Sequence, residues 1–447
     1  MAAIQDREQA KEFVLRTVKE RDVQFIRLWF TDVSGTLKGF AIMREELEEA
    51  LNEGFGFDGS SIDGYARSDE SDMIALPDPT TFSLLPWRPQ ERGVARLFCD
   101  ILLPDGAPFT GDPRYVLKKN LEKAREKGFT FYVGPEMEYF YLNSPDDPTP
   151  VDAAGYFDQD SLDLTTDLRR DTVLNLEEMG IGVAYTHHEV APGQEEIVLR
   201  HTDALTMADN CMTYKVVVKE VARQHNVFAT FMPKPLANLN GNGMHTHQSL
   251  FRGETNVFYD ADEDLNLSAI GRHYIAGLLE HASGITSITN QWVNSYKRLV
   301  PGYEAPIYIS WAKVNRSDLI RVPRIKPSRP DEMRIEYRAP DAACNPYLAF
   351  SVMLAAGLDG VERELDPPEP LTQNAYDMSD ETRVAKGVNT LPGDLMQAVL
   401  ATEEDPLVRD TLGDSVFESF LKNKTIEWDT FRRQVTDYEL QRYLPVL

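Results

Sequence analysis

The stretch Gly134–Phe140, GPEMEYF, places the tightest condition on the fold. Glu136 and Glu138 stand two apart among Met137, Tyr139 and Phe140, an apolar, aromatic run that reads as a strand. Residues i and i+2 of a strand share a face, so both carboxylates leave the segment on the same side. Two like charges there repel unless a cation or an arginine lies between them.

Three further segments offer groups of the same kind. In HHEVAPGQEEIVLR, Pro192 and Gly193 read as a turn whose two arms project Glu189 and Glu196. In RIEYR, Arg334, Glu336 and Arg338 alternate and share a face of a strand. In KPLANLNGNGMHTHQSL, His245 and His247 do the same after a flexible run of Asn and Gly. Each alone fits an exposed strand face or a salt-bridge pair. Taken together, Glu136, Glu138, Glu189, Glu196, Glu336 and His245 form a mainly oxygen-lined set, suited to hard Mg²⁺ or Mn²⁺ rather than to thiolate-bound zinc. Arg298, Arg316, Arg321 and Arg324 gather around a loop holding Glu304. Guanidinium forks bind carboxylate and phosphate oxygens, so metals with arginines point to phosphoryl transfer onto a carboxylate.

Charge sharpens that inference. The net formal charge of −26 repels phosphate backbones, which argues against nucleic-acid binding as the main activity. No apolar run reaches 18 residues, so membrane spanning is not expected. The start MAAIQDREQAKEF carries charges where a signal peptide needs an apolar stretch, and a cytoplasmic location is the expectation. Cys99, Cys211 and Cys344 lie far apart without metal-type spacing and read as buried free thiols.

With 447 residues the chain is long for one domain and typical of two. Ala10, Phe13, Val14, Thr17 and Val18 have helical spacing. VQFIRLWFTDV and TLKGFAI read as strands joined by a turn at Asp32–Gly35. The stretch from Gly54 to Phe82 reads as a long loop, either functional or disordered. Asp112 then caps a helix with Pro113 in its first turn, which puts a domain boundary near residue 107, dividing 1–106 from 107–447. Beyond it, helices and strands mix without regular alternation, the mark of an α+β architecture. Neither a Rossmann nor a P-loop fingerprint occurs in its required setting. LDPPEPLTQNAYDMS reads as a Pro-rich surface segment, Asp414–Lys422 and Glu427–Tyr443 as helical, and the apolar YLPVL end as a segment that either docks on another surface or folds onto its own domain.

In their order, FTDVSGTLKG, FDGSSIDG, GPEMEYF, HHEVAPGQEE, NGNGMHTHQSL, NSYKRLVPGYEAP, NRSDLIRVP and RIEYRAPDAACNPYLAF make the chain resemble the type I glutamine synthetases of bacteria and archaea over nearly its whole length. The resemblance implies a small β-grasp-like N-terminal domain and a large catalytic domain with a curved, mainly antiparallel sheet and flanking helices. It implies a dodecamer of two hexameric rings with active sites between subunits. The expected reaction is ATP-dependent ligation of ammonium to L-glutamate through γ-glutamyl phosphate. By the same resemblance Glu138, Glu189 and Glu196 hold one Mg²⁺ or Mn²⁺, and Glu136, His245 and Glu336 a second. Asn240, Gly241, Arg298 and Arg338 hold glutamate. His247, Ser249, Arg316 and Arg321 face ATP and the transferring phosphate. Asp58 assists ammonium from a neighbouring subunit, and Glu304 closes over the intermediate.

Some positions depart from the family pattern: Ala184 stands where many relatives have Glu near the nucleotide, Asp331 where a basic residue is common, and Asn242 in place of a usual Ser, departures that bear on nucleotide affinity more than on the reaction class. Tyr376 resembles the tyrosine adenylylated in one subgroup, with an ordinary surface position as the expectation. Arg67 resembles the arginine tied to glutamine feedback in the other, non-adenylylated subgroup, to which the chain stands closer. The alternatives weighed beside the synthetase are a γ-glutamyl amine ligase, a silent regulator on the same fold and a metal-dependent hydrolase.

Overall fold

The computed structural model describes residues 2–64, 72–88, 91–159, 163–313, 318–326 and 328–447. Arg67 and Arg316 lie outside these residues. The architecture is α+β, built on two sheets. The first holds strands β1 (Phe25–Thr31), β2 (Leu37–Met43), β3 (Phe55–Asp58), β4 (Asp72–Pro77), β5 (Ser83–Leu84) and β6 (Val94–Leu102). Its order is β2-β1-β6-β4-β3, with β5 on β6 and with β1 and β6 parallel. The helix Ala2–Glu20 buries Val14 and Val18 against this sheet, as its spacing predicts. The stretch expected to be one long loop contains both β3 and β4. Its alternating Phe55, Phe57, Met73 and Ala75 pack into the small core, a period-two pattern masked by the surrounding Gly, Ser and Asp.

The second sheet holds β7 (Thr130–Leu142), β8 (Val183–His188), β9 (Gln194–Leu199), β10 (Thr202–Asp203), β11 (Phe228–Thr230), β12 (Met244–Arg252), β13 (Thr255–Asn256), β14 (Tyr308–Ala312), β15 (Asp318–Arg321) and β16 (Ile335–Tyr337). Its order is β14-β15-β16-β12-β7-β9-β8, antiparallel in every described pairing except β14 with β15. Two long strands show how the sequence divides its faces. Along β7, Phe131, Val133, Met137, Tyr139 and Tyr141 enter the core, so Glu136 and Glu138 must leave on the other side. On β12, Met244 and Leu250 enter the core and His245 and His247 point the opposite way.

Helices Ala204–Gln224, Ala269–Glu280 and Pro346–Glu362 cover the apolar side. Tyr214 on the first of them donates its hydroxyl to the Met137 carbonyl at 3.1 Å, fixing helix to strand directly behind the two glutamates. Asp112 caps the helix Pro113–Glu126 by accepting from the Arg114 amide at 3.0 Å, as expected. The Pro-rich segment expected at the surface is partly interior: Leu371, Ala375 and Met378 bury beside Tyr308. The helical C-terminal end runs unbroken as Asp414–Phe431, then breaks before Asp437–Tyr443. All three cysteines are buried and free.

The two sheets meet where Trp29, Val33, Leu85 and Phe98 join the large apolar core, and through polar contacts. Asn345 donates to the carbonyls of Asp32 and Val33 at 3.3 and 3.2 Å, and Gln291 to that of Ser34 at 2.7 Å. Gly35 sits at φ +77 with its missing Cβ position 2.8 Å from the Asn345 Cα, so this turn admits only glycine. Arg114 spans the junction, pairing Asp78 at 2.9 Å, Asp100 at 2.6 Å and Asp209 at 2.9 Å.

Candidate functional site

The polar face of β7, β8, β9, β12 and β15 lines one pocket, with β16 beneath it, and strand register decides which groups meet there. Glu136 stands opposite His245, and across β12 His247 stands opposite Glu336, which stands opposite Arg321. His245 Nδ1 lies 3.6 Å from Glu136 and 3.9 Å from Glu336, and one oxygen or ring nitrogen of each of the three falls within 4.8 Å of the others. Burial and then Arg338 push the His245 imidazole down to about 4, so at neutral pH it carries a free lone pair, the state a metal ligand needs. Arg338 pairs with Glu336 at 2.5 Å and Arg321 donates to its other oxygen. Burial alone would raise Glu336; Arg338 and the two histidines hold it below the usual carboxylate range.

A second cluster forms where the turn after β8 returns as β9. Glu189, Glu196 and His187 bring a ligand atom each within 4.8 Å. Glu189 accepts from His187 Nε2 at 3.0 Å and from the Val190 amide at 2.9 Å. His187 Nδ1 faces Glu196 at 4.0 Å and, among the described residues, has no hydrogen-bond partner. Glu138 lies directly across from Glu196 in the β7–β9 ladder. Its carboxylate is held by the Gly243 amide at 2.7 Å and by Gln194 Nε2 at 3.3 Å. Burial, then Glu189, raise Glu138 to about 8. Burial, then Glu136, Glu138 and Glu189, push Glu196 well above its ordinary value. A dense set of oxygens with an unpartnered imidazole nitrogen is a donor set that fits a divalent cation.

Arg298, Arg338, Asn240, Gly241 and Glu304 line the same pocket. Arg298 is buried and anchored to the carbonyls of Ala339 at 2.7 Å and Arg338 at 3.2 Å. A Cβ on Gly243 would stand 2.7 Å from Arg298 Nη2 and 3.1 Å from His245 Nε2, so glycine here lets guanidinium and imidazole share one strand edge. Glu304 sits on a loop after the helix Ser295–Arg298, at φ 57, a left-handed conformation unusual for a side-chain-bearing residue. His247 and Ser249 line an adjoining pocket with Ala184, Asp331 and Arg334; Glu136 and Tyr185 border both pockets. His247 bridges them, bonding Glu136 at 2.9 Å and accepting from Arg334 Nε at 3.3 Å.

Three expectations change. Arg324 is exposed and does not line the pocket; Arg338, just past the end of β16, lines it with Arg298 and Arg321. Asn242 is buried away from the His247 pocket, bonding the Met232 carbonyl at 2.9 Å and accepting from Gln194 at 3.1 Å, so its role is to brace the loop. Tyr376 is half-buried, and its hydroxyl donates to the Ala305 carbonyl beside Glu304. Asp58 is exposed at the edge strand of the small sheet, accepts from the Ser60 amide at 2.8 Å, and is not among the residues lining either pocket of its own chain.

Sequence reasoning overlooked His187, although its position two before Glu189 is the same i, i+2 signal. It also overlooked Gln194, which ties Glu138 to the Gly241 carbonyl at 3.0 Å, and a buried brace beneath the turn. In that brace Asp152 joins His188 at 3.2 Å and the Gly193 amide at 2.7 Å, while Arg169 bonds Glu195 at 2.5 Å. Asp152, His188 and Glu195 also crowd within 4.8 Å, but Arg169 and Thr165 fill the Glu195 oxygens.

The family description "Glutamine synthetase, beta-Grasp domain" matches residues 22–104, and "Glutamine synthetase, catalytic domain" matches 110–443. The glutamine synthetase of Mycobacterium tuberculosis is 53% identical over 440 residues, 97% of this chain and 99% of that one. That of Methanosarcina mazei is 51% identical over 441 residues, 98% of each chain. Among solved structures, a GmaS complex with ADP superimposes with a TM-score of 0.88 at 34% identity, covering 96% of this chain and 99% of that one.

Proposed function

We propose roles for these residues from one premise: the chain belongs to the glutamine synthetase family. It is an ATP-dependent glutamate–ammonia ligase, forming L-glutamine, ADP and phosphate. The family is generally divalent-metal dependent, and this chain has the acidic clusters to bind such an ion. The observation that carries the reading is the arrangement that sets Glu136, Glu138, Glu189, Glu196 and His245 in one pocket with Arg298, Arg321 and Arg338, and buries Glu336 3.9 Å from His245.

In this reading Glu138, Glu189 and Glu196 hold one Mg²⁺ or Mn²⁺, with His187 beside them, and Glu136, His245 and Glu336 hold another. The ions supply neutralising charge for the phosphates of ATP. His247 and Ser249 face the nucleotide. Arg298, Arg338, Asn240 and Gly241 fix glutamate so that a side-chain carboxylate oxygen attacks the γ-phosphorus as its bond to the bridging oxygen breaks and ADP leaves. Arg321 and Arg316 stabilise the charge spread over the transferring group. Ammonium loses a proton to the pocket made by Glu189 and the Asp58 of a neighbouring subunit. The resulting ammonia attacks the acyl carbon and expels phosphate. Glu304 closes the pocket and keeps water out.

An active site completed by a neighbour's Asp58 requires an oligomer, for which a double hexameric ring is the family arrangement; the division at 106/107 then separates the domain that lends Asp58 from the one that receives it. Among the described residues no helix is long and apolar enough to cross a membrane, and a cytoplasmic place suits ATP as co-substrate. The ends of the Ala184 and Asp331 side chains border the His247 pocket and are the positions most able to alter nucleotide affinity. Membership of the non-adenylylated, glutamine-inhibited subgroup rests on Arg67.

The test is ADP release with Mg²⁺, ATP and glutamate, comparing ammonium with putrescine and ethanolamine. Turnover that depends on ammonium supports the synthetase; turnover only with an organic amine replaces it with γ-glutamyl amine ligation.

A further inference from the structure

We infer that Tyr376 is a positioning residue, a latch that holds the loop carrying Glu304 in its closed-in conformation. The latch rests on the reading of Glu304 as the group that covers the pocket. Its hydroxyl donates to the carbonyl of Ala305, the residue immediately after Glu304. Glu304 itself is in the left-handed region at φ 57, and a strained residue of this kind persists only where its surroundings hold it.

The rest of the Leu371–Leu391 segment is built to place that hydroxyl. Asn374 accepts from the Tyr376 amide at 3.0 Å and caps the turn Ala375–Asp377. The Tyr376 ring packs edge-on against Tyr308, with centroids 5.5 Å apart, and Arg383 stacks over the Tyr308 ring at 4.7 Å. Main-chain bonds then clamp the chain just past the Glu304 loop: Leu391 to the Ile307 carbonyl and Ile309 to the Asn389 carbonyl, each at 2.8 Å. Of these contacts the Tyr376 hydroxyl is the one that reaches the residue next to Glu304. Burial pushes its phenol up to about 12, so it stays protonated and a donor throughout the neutral range.

The chemical consequence concerns water. With Glu304 held over the pocket, γ-glutamyl phosphate is kept for ammonia; with the loop loosened, water attacks the acyl phosphate and returns glutamate and phosphate, consuming ATP without glutamine.

Tyr376→Phe removes the hydroxyl and keeps the ring. A net hydrogen bond of ordinary strength corresponds to roughly two- to tenfold, so the ADP formed per glutamine should rise by about that factor while the KM for ATP stays at the wild-type value. Wild-type stoichiometry in the variant, or an equal loss of ATP affinity, overturns the latch. Amide hydrogen exchange in 301–306 gives a reading that needs no turnover: faster exchange there, with Thr130–Leu142 unchanged, supports the latch, and unchanged exchange overturns it. A wild-type protein that forms no glutamine defeats the catalytic reading instead, and the exchange result still decides whether Tyr376 holds the loop.

Discussion

Glu138 and Glu196 lie directly opposite each other on antiparallel β7 and β9, both buried, on the face that lines the pocket. Like charges at paired cross-strand positions destabilise a sheet, and burial raises both carboxyls further. The arrangement is costly without a cation and favourable with one. Glu196→Gln should therefore raise the Tm of the metal-free protein while weakening Mn²⁺ binding by at least the roughly 10–100-fold that loss of an outer partner costs elsewhere. Calorimetry with and without Mn²⁺ checks both signs. A variant less stable than wild type in chelator would show that the pair is held by something other than a cation.

Gly243→Ala tests how closely the strand edge must approach Arg298. The added methyl group meets Arg298 Nη2 at 2.7 Å and displaces it from its place over the pocket. The KM for glutamate should rise on the order of tenfold or more, with ATP binding little changed. Steady-state kinetics with each substrate varied separates the two.

The helix crossing behind the sheet allows no side chain. A Cβ on Gly277 would lie 2.1 Å from the Ala356 carbonyl, and one on Gly360 the same distance from that of His273. Gly360→Ala should cost about 1–3 kcal/mol of stability through forced separation of the helices, read as a lower urea midpoint with an unchanged slope. An unchanged midpoint would mean that the helices are free to shift apart.

His281 joins Asp405 at 2.8 Å and Asp359 at 3.0 Å, tying the helix Pro346–Glu362 to the loop before Pro406. Burial opposes its protonation, but the hydrogen bonds to Asp405 and Asp359 outweigh it and raise its value above the ordinary ~6.5. A raised histidine stabilises the fold fully below about 6.5 and loses that contribution as pH climbs through the raised folded value. His281→Asn should cost about 1 kcal/mol of stability at pH 6, read as a lower Tm, and much less at pH 9. Equal losses at both pH values would contradict the charged pair.

The residues legible in the sequence are those whose signal is local. Glu136 with Glu138, His245 with His247, and Glu336 with Arg338 are i, i+2 pairs, and strand geometry alone aims each pair at one side. The Pro192–Gly193 turn is equally local, and its two arms carry Glu189 and Glu196. What stayed hidden depends on contacts distant along the chain. Tyr376 reaches Ala305 across 71 positions, and Arg169 reaches Glu195 across 26, with no periodicity to betray either. Arg324 misled for the opposite reason: nearness in sequence to Arg321 says nothing of face once the strand has ended at Arg321. The strands β3 and β4 were obscured because their short apolar alternations sit inside a run of turn residues.

The central claim is that this pocket joins the two substrates through an acyl phosphate, and an oxygen label tests it most directly. L-glutamate carrying ¹⁸O in its side-chain carboxylate is turned over with ATP, Mg²⁺ and ammonium, and the released phosphate is analysed by mass. Attack of that carboxylate on the γ-phosphorus predicts one ¹⁸O in each phosphate formed with glutamine. Phosphate free of the label would mean that ATP is cleaved by water, and would contradict the account.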